Sequence, residues 1–586
     1  MKFSVSLFCL MFSPCRSQLC ARGSSLGALL MCVFFTLPSL LSAQSITTLQ
    51  KRGNAWQLVQ DGQPFVMLAG ELHNSSSSTP IALHSTMKTA QAMGLNSVIA
   101  TVSWEQIEPE EGRFDFSCMD ELLKAAETYK MRLGIAWFGS WKNGESSYAP
   151  LWVKSDTKRF FRARDAQERN TTTLSPFCEA AMKADAAAYR RLMEYIAQKD
   201  TKRVVCVMQV ENEVGAFIDI DHSEASMKEF RTDVPELLSV FLKKNYATAG
   251  KRLAQRWNEN GKRTKGSWAD LFGENEDAKQ FFMAWAYARY VDYVAEEGKK
   301  AHPLPMYTNC WLAGDDAKVG TFPNSGPRGK VLDIWKIFAP HVDWLSPDVY
   351  STNYSSVFGQ YHRSDNPLFI PEINREGGPA YYAFGEHDAM CYAPFGFEET
   401  YNDPYLLGEY QTLGELLPLI TQHQGTGHMH GFIRQEGIHQ PDDSCLLDFK
   451  DVLFKVKYIK GEHRAHGLVV RLSDDEFIVA GVGGYLLPQA VNSDKQECKI
   501  AYAEELQLGP DGEWQTIYVL NGDETAHHNM IYLRGRMPLK DYKEYGFNIP
   551  APLYRPSYQR MNNKQWQDPL KFSGIYRFKI YTYPKK

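Results

Sequence analysis

Arg203-Val204-Val205-Cys206-Val207-Met208-Gln209-Val210-Glu211-Asn212-Glu213-Val214-Gly215 is the stretch on which the fold of this chain turns. Its first half is an apolar, β-branched run, the mark of a strand buried on both faces, as in a parallel sheet. Its second half closes that strand with an Asn-Glu pair, which delivers an amide and a carboxylate beyond the sheet edge. The design returns at Leu368-Phe369-Ile370-Pro371-Glu372-Ile373-Asn374, where another short apolar run ends in a carboxylate.

Outward from these two runs, short apolar strands alternate with amphipathic helices from about Lys51. The strands are expected at Phe65–Ala69, Ser97–Val102, Leu133–Phe138, the run ending at Glu213, Met306–Trp311, Val342–Leu345, the run ending at Glu372, and near Met390–Phe395. Ser117 offers an N-cap to one helix, Pro235 a first helical position to another, and a further helix should run from Pro404 to about His423. Eight such units in order predict a closed (β/α)8 TIM barrel. A doubly wound sheet would want a glycine-rich phosphate turn early in the chain, and Gly70-Glu71-Leu72-His73 is not one. After about Gly427 the texture changes to runs such as Phe477–Tyr485, Trp514–Leu520 and Ile575–Tyr581, bounded by turn residues. These predict a C-terminal antiparallel β-sandwich of about 150 residues. The expected division is a signal peptide over 1–43, a catalytic barrel over 44–426 and the sandwich over 427–586.

At 586 residues the chain is too long for one ordinary core, and its 44% hydrophobic content excludes a mainly disordered protein. A net charge of −5 gives no electrostatic case for nucleic acid or anionic membrane. The run from Leu26 to Leu41, followed by Ser42-Ala43-Gln44, reads as an export signal, so a periplasmic or secreted location is expected. It is a poor permanent membrane anchor. Seven scattered cysteines follow it, without the paired spacing of a zinc site or disulfide framework. No cofactor motif is present, and no HExxH or clustered His/Asp set points to a metal.

Two carboxylates on two buried strand ends match the needs of retaining glycoside hydrolysis, in which the pair stands roughly 5 Å apart. One must stay protonated to donate to the leaving oxygen, and the other must stay ionised to attack the anomeric carbon. Glu213 is assigned as the acid/base and Glu372 as the nucleophile. Asn212 is placed to meet a sugar hydroxyl, Tyr350 to donate to Glu372, and Arg375 to keep Glu372 ionised. If the strand stays regular, Glu211 shares a side with Glu213 and supports it. Glu71 and His73 end strand one as ligand-binding or structural groups. Trp104, Trp137, Trp141 and Trp311 end or follow strands, where they either stack on a sugar or pack the core.

Gln209–Gly215 is similar to the acid/base motif of the family 35 glycoside hydrolases, with Val214 where Tyr is usual. Trp104-Glu105-Gln106-Ile107-Glu108-Pro109-Glu110-Glu111-Gly112-Arg113-Phe114-Asp115-Phe116 resembles that family's segment after strand two, and Gly70-Glu71-Leu72-His73 its strand-one motif. The tail resembles the β-domain of a bacterial branch. The family's Gly- and Pro-rich strand-three segment, with its acidic galactose contact, is replaced by Trp137-Phe138-Gly139-Ser140-Trp141-Lys142-Asn143-Gly144-Glu145, where Glu145 is a candidate substitute. The resemblance implies an exported retaining exo-β-galactosidase acting on terminal, non-reducing galactose of oligo- or polysaccharide side chains. The alternatives are an α-L-arabinopyranosidase, another retaining β-glycosidase, or a catalytically silent carbohydrate-binding protein.

Overall fold

In the computed structural model, residues 45–314, 317–400, 403–435, 443–536 and 573–585 are described. The expected signal segment therefore lies outside the described residues.

Eight parallel strands close into a barrel in chain order: β1 (Met67–Glu71), β2 (Ser97–Ser103), β3 (Arg132–Lys142), β4 (Val205–Asn212), β5 (Met306–Trp311), β6 (Trp344–Val349), β7 (Ile370–Ile373) and β8 (Cys391–Pro394), with β8 returning to pair with β1. Every residue of β2 and β4 is buried, which explains their unbroken apolar texture. The barrel interior is a distinct core of Met67, Ala69, Ile99, Phe138, Val207, Tyr307, Trp344 and Phe369 among others. Leu58 and Phe65, from a small antiparallel sheet that precedes β1, join that core. They seal the end of the barrel at which the strands begin. The functional end is left to the strand carboxyl termini.

Outside the strands, two long helices, α1 (Glu179–Lys199) and α2 (Glu276–Ala301), pack against each other. Local capping departs from the sequence reading at two starts. Ser117 is the first helical residue rather than the cap, its N–H held by Asp115 Oδ1 at 2.9 Å. Pro235 precedes its helix as the cap. Helices α3 (Gly378–His387) and α4 (Pro404–His423) then lead into the C-terminal domain.

Among the described residues that domain shows an antiparallel sheet of nine strands, β9 (Met429–Ile433), β10 (Ser444–Asp448), β11 (Val452–Tyr458), β12 (His466–Arg471), β13 (Glu476–Ala490), β14 (Gln496–Leu508), β15 (Trp514–Val519), β16 (Ile531–Arg534) and β17 (Ile575–Pro584). The long β13 organises it. Its first half pairs with β12 and β17, and its second half with β11 and β16. Alternate residues face different cores. Val469, Phe477 and Val479 point into the domain's own core, whereas Leu468, Val470, Ile478 and Ala480 join the large core of the barrel and its helices. Both faces are therefore covered along this part of the sheet, and the polar/apolar alternation of a half-exposed antiparallel strand disappears. A buried polar link adds to the joint: His466 Nε2 lies 2.9 Å from Glu409 Oε2.

Candidate active site

Strand β4 leaves the regular pleat before it ends. Glu211 and Glu213 have φ of 62° and 44°, both left-handed, and Gln209 Nε2 donates to the Glu211 carbonyl at 3.0 Å. Left-handed backbone at Glu211 turns its side chain away from Glu213, so it is not the neighbouring support that regular alternation implies. Its carboxylate instead accepts from the Ser140 and Trp141 N–H groups of β3 at 3.1 and 2.8 Å. There it faces Asp185 of α1. Burial, followed by the Asp185 charge, holds the Glu211 carboxyl well above the usual range. Gly139 makes this possible: a Cβ there would lie 2.6 Å from Glu211 Oε1 and from Asp185 Oδ1. Asp185 also takes the Trp137 indole N–H at 2.9 Å and the Ser140 hydroxyl at 2.7 Å. The pair forms a buried brace between β3, β4 and α1.

Glu213 points the other way. One carboxylate oxygen from each of Glu213, Asp348 on β6 and Glu372 on β7 lies within 4.8 Å of the others, and all three residues are buried. Glu71 at the end of β1 joins them. Burial, followed by the Glu372 charge, raises the Glu71 carboxyl well above its ordinary value, with Lys142 opposing. Burial and the Glu372 charge also push Glu213 up to about 7, while Lys142 and a hydrogen bond from Asp348 pull it down. Asp348 is raised well above its ordinary value by burial, Glu372 and Glu213. The Tyr350 hydroxyl donates to Glu372 Oε1. Lys142 Nζ, almost fully buried, donates to Asn212 Oδ1 at 3.0 Å, and the Asn212 amide nitrogen has no partner among the described residues. Asn309 on β5 links two members: its Nδ2 donates to Asp348 Oδ2 at 2.7 Å, and its Oδ1 accepts from the Glu213 N–H at 2.9 Å.

Chemically, the arrangement sets a carboxyl that keeps its proton to near neutrality against a carboxylate stabilised by a phenol, at the spacing of a double-displacement pair. The same three oxygens stand close enough to surround a metal ion.

The remaining candidates divide sharply. Trp311 and Tyr350 are 38% and 52% exposed and stand at the barrel mouth. Phe217, four residues beyond Glu213 and 42% exposed, joins them without having been singled out from the sequence. Trp104 has no exposed surface; its N–H is bound to Glu108 Oε2 at 2.9 Å and its ring packs edge-on against Trp152. It cannot stack on a sugar, and the same holds for Trp137 and Trp141, which are equally buried. His73 pairs with Glu399 at 2.8 Å, in a loop cluster shared with Arg375. Arg375 bonds Glu399 and the Phe395 carbonyl rather than Glu372. Glu145 is engaged by the Thr172 hydroxyl. Sequence reasoning missed Lys142, Asn309 and Asp348 as site residues. Asp348 was accessible by period-two spacing from Tyr350, and Asn309 by the same spacing from Trp311.

Residues 57–300 match the profile of glycosyl hydrolases family 35, and residues 406–531 match a domain of unknown function, DUF5597. A β-galactosidase of Xanthomonas manihotis is 28% identical over 209 residues, covering 34% of this chain and 32% of the relative. β-Galactosidase 11 of Arabidopsis thaliana is 30% identical over 122 residues, covering 20% of this chain and 14% of the relative. The chain thus spans about a third or less of the length of these relatives. Among solved structures, a β-galactosidase from Bacillus circulans sp. alkalophilus aligns with a TM-score of 0.42 and 16% identity, over 61% of this chain and 57% of that one.

Proposed function

We propose, from the match of residues 57–300 to the profile of glycosyl hydrolases family 35, that the chain is a retaining exo-β-galactosidase removing terminal, non-reducing β-galactosyl residues from oligo- or polysaccharide side chains. The observation that carries this reading is the meeting of Glu213 and Glu372 at the carboxyl ends of β4 and β7, their oxygens within 4.8 Å. In the first step the Glu372 carboxylate attacks the anomeric carbon while the Glu213 carboxyl protonates the departing glycosidic oxygen. In the second, Glu213 takes a proton from water, the water oxygen bonds to the anomeric carbon, and the bond to Glu372 breaks. Two inversions leave the product in the β configuration. Glu213, held up to about 7, has the proton affinity this alternation needs. Asn212, Glu71, Trp311 and Tyr350 line the same mouth and are the sugar contacts of this reading. Export follows from the run at Leu26–Leu41, and a domain boundary at about 427 from the change in sequence texture there.

Proton NMR of the sugar released from a nitrophenyl β-galactoside tests the proposal. The β anomer should form first, and Glu372→Ala should be inactive until azide restores turnover with inverted product. An initial α anomer, or undiminished activity in Glu372→Ala, refutes it. Faster turnover of the α-L-arabinopyranoside would reassign the sugar, and absence of a burst with an activated fluorosugar would leave only a binding protein.

A further inference from the structure

In-line displacement fixes where the leaving group lies. Glu372 attacks the anomeric carbon from one side, so the departing oxygen points to the other, where Glu213 delivers its proton. Glu372 stands on β7, and the strand directly across the ring of eight is β3, with β4 beside it and Glu213 just beyond the end of β4. A departing sugar must therefore lie over the rim where β3 and β4 end.

That rim carries Phe217. Its ring rests against the turn that closes β3, where a Cβ on Gly144 would lie 3.1 Å from Phe217 Cε2. The Gly144 N–H in turn donates to the Glu213 carbonyl at 3.2 Å. Ring, turn and acid/base thus belong to one small part of the mouth. Single exposed apolar residues are common on protein surfaces and need no explanation. Phe217 differs in how its backbone is held. Asn324 Nδ2 donates to the carbonyls on both sides of it, Ala216 at 3.2 Å and Ile218. The Ser325 hydroxyl donates to Asn324 Oδ1 at 2.6 Å, which fixes the end of the amide that faces Phe217, and the Trp335 indole N–H holds the Ser325 carbonyl at 3.0 Å. Gly215 lets the two loops touch, since a Cβ there would lie 2.5 Å from the Asn324 carbonyl oxygen. Asn324 and Ser325 are buried, whereas the phenyl ring whose backbone they clamp is 42% exposed. On the Glu372 side the exposed ring is Tyr350, whose hydroxyl is already engaged by Glu372. Phe217 has no polar group to engage; it offers only a flat apolar face, at a fixed place.

We propose that Phe217 is the stacking wall of a leaving-group subsite. It covers the C–H face of the sugar ring to which the galactosyl unit is attached, and so selects saccharide leaving groups over small ones.

The inference rests on the double-displacement reading of Glu213 and Glu372, and the experiment separates the two. The substrates are a β-galactosyl disaccharide and methyl β-galactoside. Both leaving groups need the Glu213 proton, so the ratio of their kcat/KM values isolates the contact with the second sugar. Phe217→Ala should lower that ratio about tenfold, and Phe217→Tyr should restore it. An unchanged ratio in Phe217→Ala overturns the proposal, as does a ratio equally low in Phe217→Tyr. Calorimetry supplies an arm without turnover: an S-linked β-galactosyl disaccharide should bind Phe217→Ala about tenfold more weakly than wild type, and equal affinities refute the wall. If the wild type hydrolyses neither substrate, the reaction assigned to the site fails and calorimetry alone decides on Phe217; a disaccharide that does not bind the wild type ends both.

Discussion

Replacing Glu213 by Gln tests the proton economy of the site most directly. Gln is close in volume and neutral, so it removes the exchangeable proton while preserving packing around the barrel mouth. With Glu213 at about 7, roughly nine-tenths of the enzyme carries the needed proton one pH unit below that value and about one-tenth one unit above it. For a sugar or alkyl leaving group, which cannot depart without a proton, the wild-type kcat/KM should fall about tenfold per pH unit on the alkaline side. Glu213→Gln should lower it by about 10²–10⁴ at the optimum, the usual contribution of a general acid. For a dinitrophenyl leaving group the first step needs no acid. Its rate should stay within a few-fold of wild type, its basic limb should flatten, and the glycosyl-enzyme should accumulate as a burst because the base for the second step is gone. Steady-state and stopped-flow kinetics on the two substrates across the pH range supply the comparison. Equal losses on both leaving groups, or a basic limb that survives the substitution unchanged, would refute the assignment.

The same substitution has a stability signature. A folded-state value near 7 against an ordinary 4.5 means the native state holds the proton more tightly, so wild-type stability declines as pH rises from about 4.5 to 7; Glu213→Gln should therefore be more stable to urea unfolding above pH 7, by up to about 3 kcal/mol, and lose that advantage below pH 4.5. Glu211→Ala orphans the Trp141 N–H and leaves the Ser140 N–H only its bond to Asp185 Oδ2, and should cost about 1–3 kcal/mol in urea unfolding; an unchanged midpoint would show that Glu211 is not a brace. Gly431→Ala places a Cβ 2.7 Å from the Tyr381 carbonyl, where β9 crosses α3, and should destabilise by about 1–3 kcal/mol in the same assay. Trp311→Ala should raise KM about two- to tenfold with kcat little changed, as loss of a stacking contact made equally in ground and transition states; an unaltered KM removes Trp311 from the sugar site.

What was legible from sequence follows from what sequence pattern encodes. β2 and β4 are buried on both faces, and continuous β-branched runs report that condition without reference to the rest of the chain. Glu213 and Glu372 stand out in the sequence because a carboxylate ending such a run has few structural reasons to be there, and the fold brings the two together. The tryptophans were not, since their exposure is decided by distant segments. Trp141 is covered by Tyr287 and Tyr290 of α2, and Trp104 by Trp152. Arg375 failed for a similar reason, because Glu399 lies beyond β8 and no local spacing announces it. Lys142 ends β3 and Asp348 stands one residue before the end of β6, where a single charged residue reads as an ordinary strand terminus unless the spacing from Tyr350 is followed.

Glu211, Asn212 and Glu213 show why the site needs a break in its own strand. A regular pleat sends alternate side chains to two opposite faces, so Glu211 and Glu213 would crowd the same side. Here three successive polar residues reach three surroundings: Glu211 the β3 backbone, Asn212 the Lys142 ammonium, and Glu213 the carboxylate cluster. Two left-handed residues make the third direction available, each at about 1–3 kcal/mol of backbone strain. The strain is held by bonds at both positions: the Gln209 amide on the Glu211 carbonyl, two β3 N–H groups on the Glu211 carboxylate, and Asn309 on the Glu213 N–H. The break thus keeps the Glu211 carboxyl group out of the cluster. A fifth carboxylate beside Lys142 would raise the Glu213 carboxyl further, beyond the range in which one group can both give and take a proton at neutral pH.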